Sequence, residues 1–308
     1  MASDLFSTAI ASDESSYISP AVYIVGAGPG SPDLLTVRAL KLIQQADVLV
    51  YANSLIPTQI ISAIRPNAEK IATANMTLES IVPLMIERVR AGKSVVRLHS
   101  GDPSLYSAIH EQMLRLSEAE IPFEVVPGIS AFQAAAAKLK VELTIPAQVQ
   151  SIILTRISGR TQVPETEELA SLAAHRASLC LYLSARHVQA SQAQLLMHYP
   201  PQTPVAICFR VGWPDERILV VPLEQMAAVT EKENLVRTTL YIVSPALEHA
   251  KGKAAEKEVR SRLYNPDHDH LFRPKPKERS EKTLVNEKEG ATSAKVIEED
   301  QQRETGKR

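Results

Sequence analysis

Four short segments put glycine, proline and small polar residues where strand-like runs end: GAGPGS at 26–31, HSGDPSLY at 99–106, PGISA at 127–131, and TR at 155–156 followed by SGRT. Such turns expose backbone N–H and C=O groups with little side-chain bulk, which suits a ligand held by the main chain. The first lies in VYIVGAGPGSPDLLTVRAL and raises the question of a dinucleotide fingerprint. That pattern needs glycine at its first, third and sixth places. Gly26 and Gly28 supply two, but Ser31 stands at the sixth. Pro29 removes an N–H where a pyrophosphate would need one. The acidic residue expected at the end of the next strand is also missing, since ADVLVYANS carries Asp47 before the run and Tyr51 and Asn53 after it. NAD is therefore disfavoured, and the loop suits another ligand. His99 and Asp102 are the candidate acid–base residues of the second turn. Each has a plainer reading: Asp102 as a helix cap or ligand holder, His99 as a side chain packed at a strand end.

Ligands of open α/β sheets lie at the carboxyl ends of the strands, so these turns need a sheet behind them. From Val22 to about Leu139, β-rich runs (VYIVG, DVLVY, KSVVRLH, FEVVP) alternate with helical patterns, the mark of a mainly parallel sheet. TVRALKLIQQA places Leu40 and Ile43 on one face with Thr36 as N-cap, and LESIVPLMIERVRAG ends at Gly92, a C-cap. LTIPAQVQ at 143–150 has a proline and no periodicity, and the second half carries strand-like runs at 151–156, 179–184, 204–210, 217–221 and 238–243 with a helical pattern near 187–198. The expectation is an α/β protein of two α/β domains, residues 21–144 and 145–248, with a ligand cleft between them. A flexible segment (1–20) precedes them. A C-terminal extension (249–273) docks through Leu263, Tyr264, Leu271 and Phe272, and a disordered charged tail (274–308) follows.

The chain of 308 residues is 44% hydrophobic with a net charge of −1, enough for two cores and without a global field for nucleic acid or an anionic membrane. Residues 251–308 hold 15 basic and 12 acidic side chains, a balance that argues against a nucleic-acid arm. Cys180 and Cys208 sit in apolar runs, as core residues of a reducing compartment do. The polar, acidic N-terminus reads as neither signal peptide nor anchor, and no run has the length of a membrane span. His268 and His270 lack further His or Cys ligands nearby, so no metal site is expected.

The order GAGPG, GDP, PGISA resembles the tetrapyrrole (corrin and porphyrin) methyltransferase family over about residues 20–273. YANSLIP, RLHSGDPSLYSAIHEQM, ELTIPAQVQSIILTRISGRTQVPE, FRVGWPDE and SRLYNPDHDHLFR are similar to the branch acting in cobalamin biosynthesis. The resemblance implies that family's fold, S-adenosylmethionine as cofactor, and methyl transfer to C-11 of precorrin-4 or its cobalt form. Methylation at C-17 or C-20, or a carrier without turnover, are the alternatives. It implies a homodimer; the cysteines and the N-terminus point to the cytoplasm, and the charge balance and short apolar runs to no nucleic-acid or membrane partner. Cofactor contacts carry over to Gly28, Pro29 and Gly30, to Ser100, Gly101, Asp102, Leu105 and Tyr106, to Ser130 and Ala131, and to Leu183 and Val211. Displacement at a sulfonium needs no enzyme nucleophile, so the protein's part is chiefly orientation. A substrate with many carboxylates calls for arginine forks, for which Arg97, Arg156, Arg160 and Arg210 are the candidates, with Trp213 as a flat wall beside them.

Overall fold

The computed structural model describes residues 18–159 and 161–251, the last three by their backbone alone; the expectations for most of 1–20, for nearly all of 249–308, and for Arg160 lie outside the described residues. In the first half the elements run β1 (Val22–Gly26), α1 (Val37–Gln45), β2 (Val48–Tyr51), α2 (Thr58–Ile61), β3 (Glu69–Ala72), α3 (Leu78–Arg90), β4 (Val95–His99), α4 (Ile109–Glu118), β5 (Phe123–Val126) and α5 (Ala131–Leu139). The second half adds β6 (Ile152–Arg156), α6 (Leu169–Ala173), β7 (Ser178–Tyr182), α7 (Val188–Leu196), β8 (Pro204–Phe209), β9 (Arg217–Pro222), α8 (Met226–Lys232) and β10 (Thr239–Val243).

The first sheet is parallel with order β3-β2-β4-β1-β5. Its central strands β1 and β4 are buried along their whole length, as parallel strands covered on both faces must be. On one face Val25, Leu49 and Leu98 pack with Ala39, Leu42 and Ile43 of α1 and Ile60 of α2. On the other, Val22, Ile24, Val48 and Val95 pack with Ile81 and Met85 of α3 and Leu116 of α4. The connection leaving β1 therefore covers one face and that leaving β4 covers the opposite face. Since β1 and β4 are neighbours, the gap beyond their carboxyl ends is a topological switch point.

The second sheet has order β6-β7-β10-β8-β9, with β6 and β7 parallel and the other pairs antiparallel, the mixed sheet expected of this half. Leu179, Leu181, Val205, Ile207 and Tyr241 meet α6, α7 and α8 on one face. Cys180, Ala206, Cys208, Leu240 and Ile242 on the other meet Ala134 and Ala135 of α5, which closes the second sheet against the first half. Both cysteines are free and buried among these apolar neighbours, and burial pushes the Cys180 thiol up to about 12, so it is packing rather than chemistry.

Local signals held where residues within one turn decide. Thr36 Oγ1 accepts from Ala39 N at 3.1 Å, and Gly92 follows α3 at φ +78°. One reading is corrected, and one element was not expected. The buried stripe of α1 is Ala39, Leu42 and Ile43, with Leu40 exposed, because the inward face is centred on residue 39 rather than 40. Strand β3, EKIA, had no expected counterpart. It is an edge strand with alternating exposure, and its Glu69 is held by Arg88 Nε at 2.8 Å.

Candidate active site

The turns that follow β1, β4 and β5 converge at the switch point through main-chain contacts. Gly28 N donates to Gly101 O at 3.2 Å, Gly101 N donates to Gly28 O at 2.7 Å, and Ala27 N donates to His99 O at 2.8 Å. A Cβ on Gly128 would stand 2.2 Å from Gly101 O, and one on Gly26 would stand 2.5 Å from Gly128 N. Only residues without side chains allow three backbones this close. Asp102 ties the arrangement together: Oδ2 accepts from Gly128 N at 2.8 Å, while Oδ1 accepts from Ser104 N at 2.9 Å and from the Ser104 hydroxyl. Burial pushes its pKa up, but these hydrogen bonds outweigh it and hold the carboxyl below its usual range. Both oxygens being committed to the protein itself, Asp102 is placed as a clamp between turns rather than as a free base.

A cavity of about 700 Å³ opens beside these turns. The first turn contributes Pro29 to its wall, the second Ser100, Gly101, Asp102, Leu105 and Tyr106, and the third Ser130 and Ala131. Leu183, after β7, and Val211, after β8, complete it from the second sheet. Gly28 and Gly30 are not in the wall; they shape the loop behind it, Gly28 at φ +68° and Gly30 against the indole of Trp213. Tyr106 and Leu183 line the cavity with φ +53° each, left-handed backbone that non-glycine residues adopt at a cost and that gathers at ligand sites. Tyr182 packs on Tyr106 with ring centroids 5.5 Å apart, and its hydroxyl lies 2.9 Å from Ser130 Oγ. Burial raises that phenol to about 12, so it remains protonated at neutral pH.

The charged groups separate by position. Arg97 and His99, both on β4, line the cavity. Burial lowers Arg97 to about 10, and burial with the neighbouring Arg97 charge lowers His99 to about 3, which leaves a neutral imidazole at pH 7 and a poor proton acceptor. Arg156 spends its guanidinium on the loop after β6, donating to Thr161 O at 2.7 Å and Gln162 O at 2.9 Å, and is not in the wall. Arg210 stacks 4.0 Å from the Trp213 ring, pairs with Asp215 at 2.8 Å, and borders a second, smaller hollow. Trp213 is not in the cavity wall; its ring packs under the first glycine turn. Arg186 and Arg237, which sequence reasoning passed over, line the cavity from exposed positions. Ala52, Ser54, Leu55 and Ile56 also line it, and the YANSLIP segment that contains them was a signal without an assigned role. Among the described residues no group of three or more His, Cys, Asp and Glu is arranged to hold a metal ion.

Two parallel-sheet turns, a glycine–proline loop and a mixed second sheet around one cavity define a class, and the family model for tetrapyrrole (corrin/porphyrin) methylases matches residues 21–227. The chain belongs to that family. It is 43% identical over 253 residues, 82% of its length, to the precorrin-4 C(11)-methyltransferase of Pseudomonas aeruginosa, covering 98% of that protein. Among solved structures, cobalt precorrin-4 methyltransferase, a cobalamin biosynthetic enzyme, matches with a TM-score of 0.72 and 41% identity over 74% of this chain and 96% of that one. Uroporphyrin-III C-methyltransferase from Thermus thermophilus, complexed with S-adenosyl homocysteine, matches with a TM-score of 0.61 and 28% identity over 74% and 99% of the two chains.

Proposed function

We propose that this protein transfers a methyl group from S-adenosylmethionine to C-11 of precorrin-4 or its cobalt form in cobalamin biosynthesis. The observation that carries the reading is the meeting of the GAGPG, GDP and PGISA turns at one cavity, in a chain whose relatives are named for that reaction. Those relatives do not favour C-17, C-20 or a carrier role.

The residues fit the cofactor. A Cβ on Gly101 would stand 3.7 Å from Ser130 Cα, in the gap where the second and third turns face each other, so the absent side chain leaves a cradle. When bound, S-adenosylmethionine supplies an electrophilic methyl on its sulfonium. The chain's own work is to orient and enclose. Pro29, Gly101, Ser130, Ala131 and Leu183 hold the donor, Asp102 keeps their turns in register, and Val211 closes the wall behind them. Tyr106 and Tyr182 offer aromatic surface. Arg186 and Arg237 face a polycarboxylate substrate with no acid partner among the described residues. His99, neutral at working pH, serves as a hydrogen-bonding group rather than as a base. Holding the reacting atoms about 3–3.5 Å apart and in line is the main source of acceleration.

The family resemblance further supports a homodimer and the free, buried cysteines a reducing, cytoplasmic setting, and no helix of the described residues is long and apolar enough to cross a membrane. Sedimentation and cell fractionation check these two points. The decisive experiment incubates the enzyme with labelled donor and either metal-free or cobalt macrocycle, then maps the methylated carbon. Label at C-11 is expected, and label at C-17 or C-20 overturns the reading.

A further inference from the structure

The cavity wall contains a charge that the protein does not neutralise. Arg97 is 8% exposed, lies between Ile24 and Val50 on the flanking strands, and its guanidinium has one hydrogen bond among the described residues, Nη1 to Thr73 Oγ1 at 2.9 Å. Its Nε is buried without a partner. His99, two residues on and thus on the same face of β4, is also 8% exposed, and its Nε2 is likewise buried without a partner. Arg38, Arg65, Arg88, Arg115 and Arg217 all have a carboxylate within ion-pairing distance, but Arg97 has none among the described residues. A desolvated guanidinium without an anion is strongly unfavourable. Its retention in a cavity wall is explained if a ligand brings the anion.

We propose that Arg97, oriented by Thr73 and flanked by His99, is a buried socket for one carboxylate of the tetrapyrrole substrate. The proposal rests on the function above and deepens it, by separating one inner anchor from the exposed Arg186 and Arg237. The guanidinium fork matches a carboxylate edge, and an unpartnered imidazole nitrogen beside it adds a further polar contact. A ring with several acidic arms around its edge has several ways to lie in the cavity. A single inner socket takes one arm at a time, which limits the ring to rotations that bring an acidic arm to β4 and so narrows the carbons presented to the methyl. Arg97 is on this reading a specificity-determining binding residue, not a catalytic one.

The methionine end of the donor also carries a carboxylate, so the test separates the two sources. Full-length protein and the variants Arg97→Met, Arg97→Lys and Thr73→Val are titrated with uroporphyrin III, a flat octacarboxylate, with its octamethyl ester, and with S-adenosylhomocysteine. Arg97→Met is expected to weaken uroporphyrin binding about tenfold or more, to leave S-adenosylhomocysteine within about twofold, and to leave the ester unchanged. Arg97→Lys should recover part of the loss, and Thr73→Val should show a smaller one of about two- to fivefold. Ligand-free Arg97→Met should melt at or above the wild-type temperature, because an unpaired buried charge has been removed. Unchanged uroporphyrin affinity in Arg97→Met, a loss confined to the donor analogue, or a lower melting temperature with both ligands lost overturns the socket. Failure of the wild type to bind the donor analogue overturns the proposed function, and the socket with it, whereas donor binding without any uroporphyrin binding overturns the socket alone.

Discussion

Replacing Asp102 with alanine tests whether the three turns are held together by one carboxylate. The side chain accepts from Gly128 N, from Ser104 N and from the Ser104 hydroxyl. A hydrogen bond to an ionised acceptor contributes about 1.5–3 kcal/mol. Ser104 is exposed, so water takes over most of its share; the Gly128 contact lies where three backbones meet and has no such replacement. The net loss should be about 2–3 kcal/mol, a fall in Tm of roughly 5–10 °C for a domain of this size. Loosening of the turns should also weaken S-adenosylhomocysteine about tenfold, some 1.4 kcal/mol. Asp102→Asn keeps an oxygen for Gly128 N and should recover about half of each loss. The carboxyl titrates below its usual value when folded, so its contribution is fully present above the unfolded pKa near 3.8 and is lost as pH falls through the lower folded value. The gap between wild type and Asp102→Ala should be flat from neutral pH down to about pH 5 and close only in stronger acid. Urea melts across pH and calorimetric titration of the donor analogue measure all of this. A stability change under about 0.5 kcal/mol with unchanged donor affinity would refute the clamp.

Gly128→Ala should be worse than a cavity mutation of similar size, at about 3 kcal/mol or more, because the new methyl meets the backbone at Gly101 O and Gly26 Cα rather than a movable side chain; near-wild-type melting would contradict the close approach. His99 has a folded pKa of about 3 against an ordinary 6.5, so it contributes stability that is present above 6.5 and lost as pH falls toward 3, at up to about 1.4 kcal/mol per pH unit. His99→Gln should flatten the pH dependence of unfolding between pH 6.5 and 4, and an unaltered slope would show that the imidazole is solvated. Trp213→Ala removes the ring on which Gly30 and Arg210 rest, so Tm and donor affinity should both fall, by about 2 kcal/mol in stability for this partly exposed ring; a defect confined to macrocycle turnover would instead return Trp213 to the substrate wall.

What could be read from the chain alone was what local geometry dictates. Glycine and proline at strand ends mark turns because they alter backbone freedom directly, so the GAGPG, GDP and PGISA turns and their place at one sheet edge were legible. Gly92 was legible as a helix end for the same reason, Thr36 because its hydroxyl can accept from a first-turn N–H, and Cys180 and Cys208 as core because their runs are apolar throughout. Strand β3 escaped because an edge strand needs only one partner and half a buried face, so EKIA carries little pattern. The arginines differed least in sequence and most in space. Arg97, Arg156 and Arg210 each stand in or beside a strand, yet one is buried without an acid, one braces a loop through carbonyls, and one is stacked and ion-paired. Trp213 and the unflagged Arg186 and Arg237 belong to the same group. The strand-end turns, and the family they signal, are encoded within a few residues each, because a turn's backbone conformation is a local property. Which side chains face the cavity, and which are already neutralised, depends on the assembled sheets, because partners 24 residues away, as for Arg97 and Thr73, are brought together by strand order rather than by spacing.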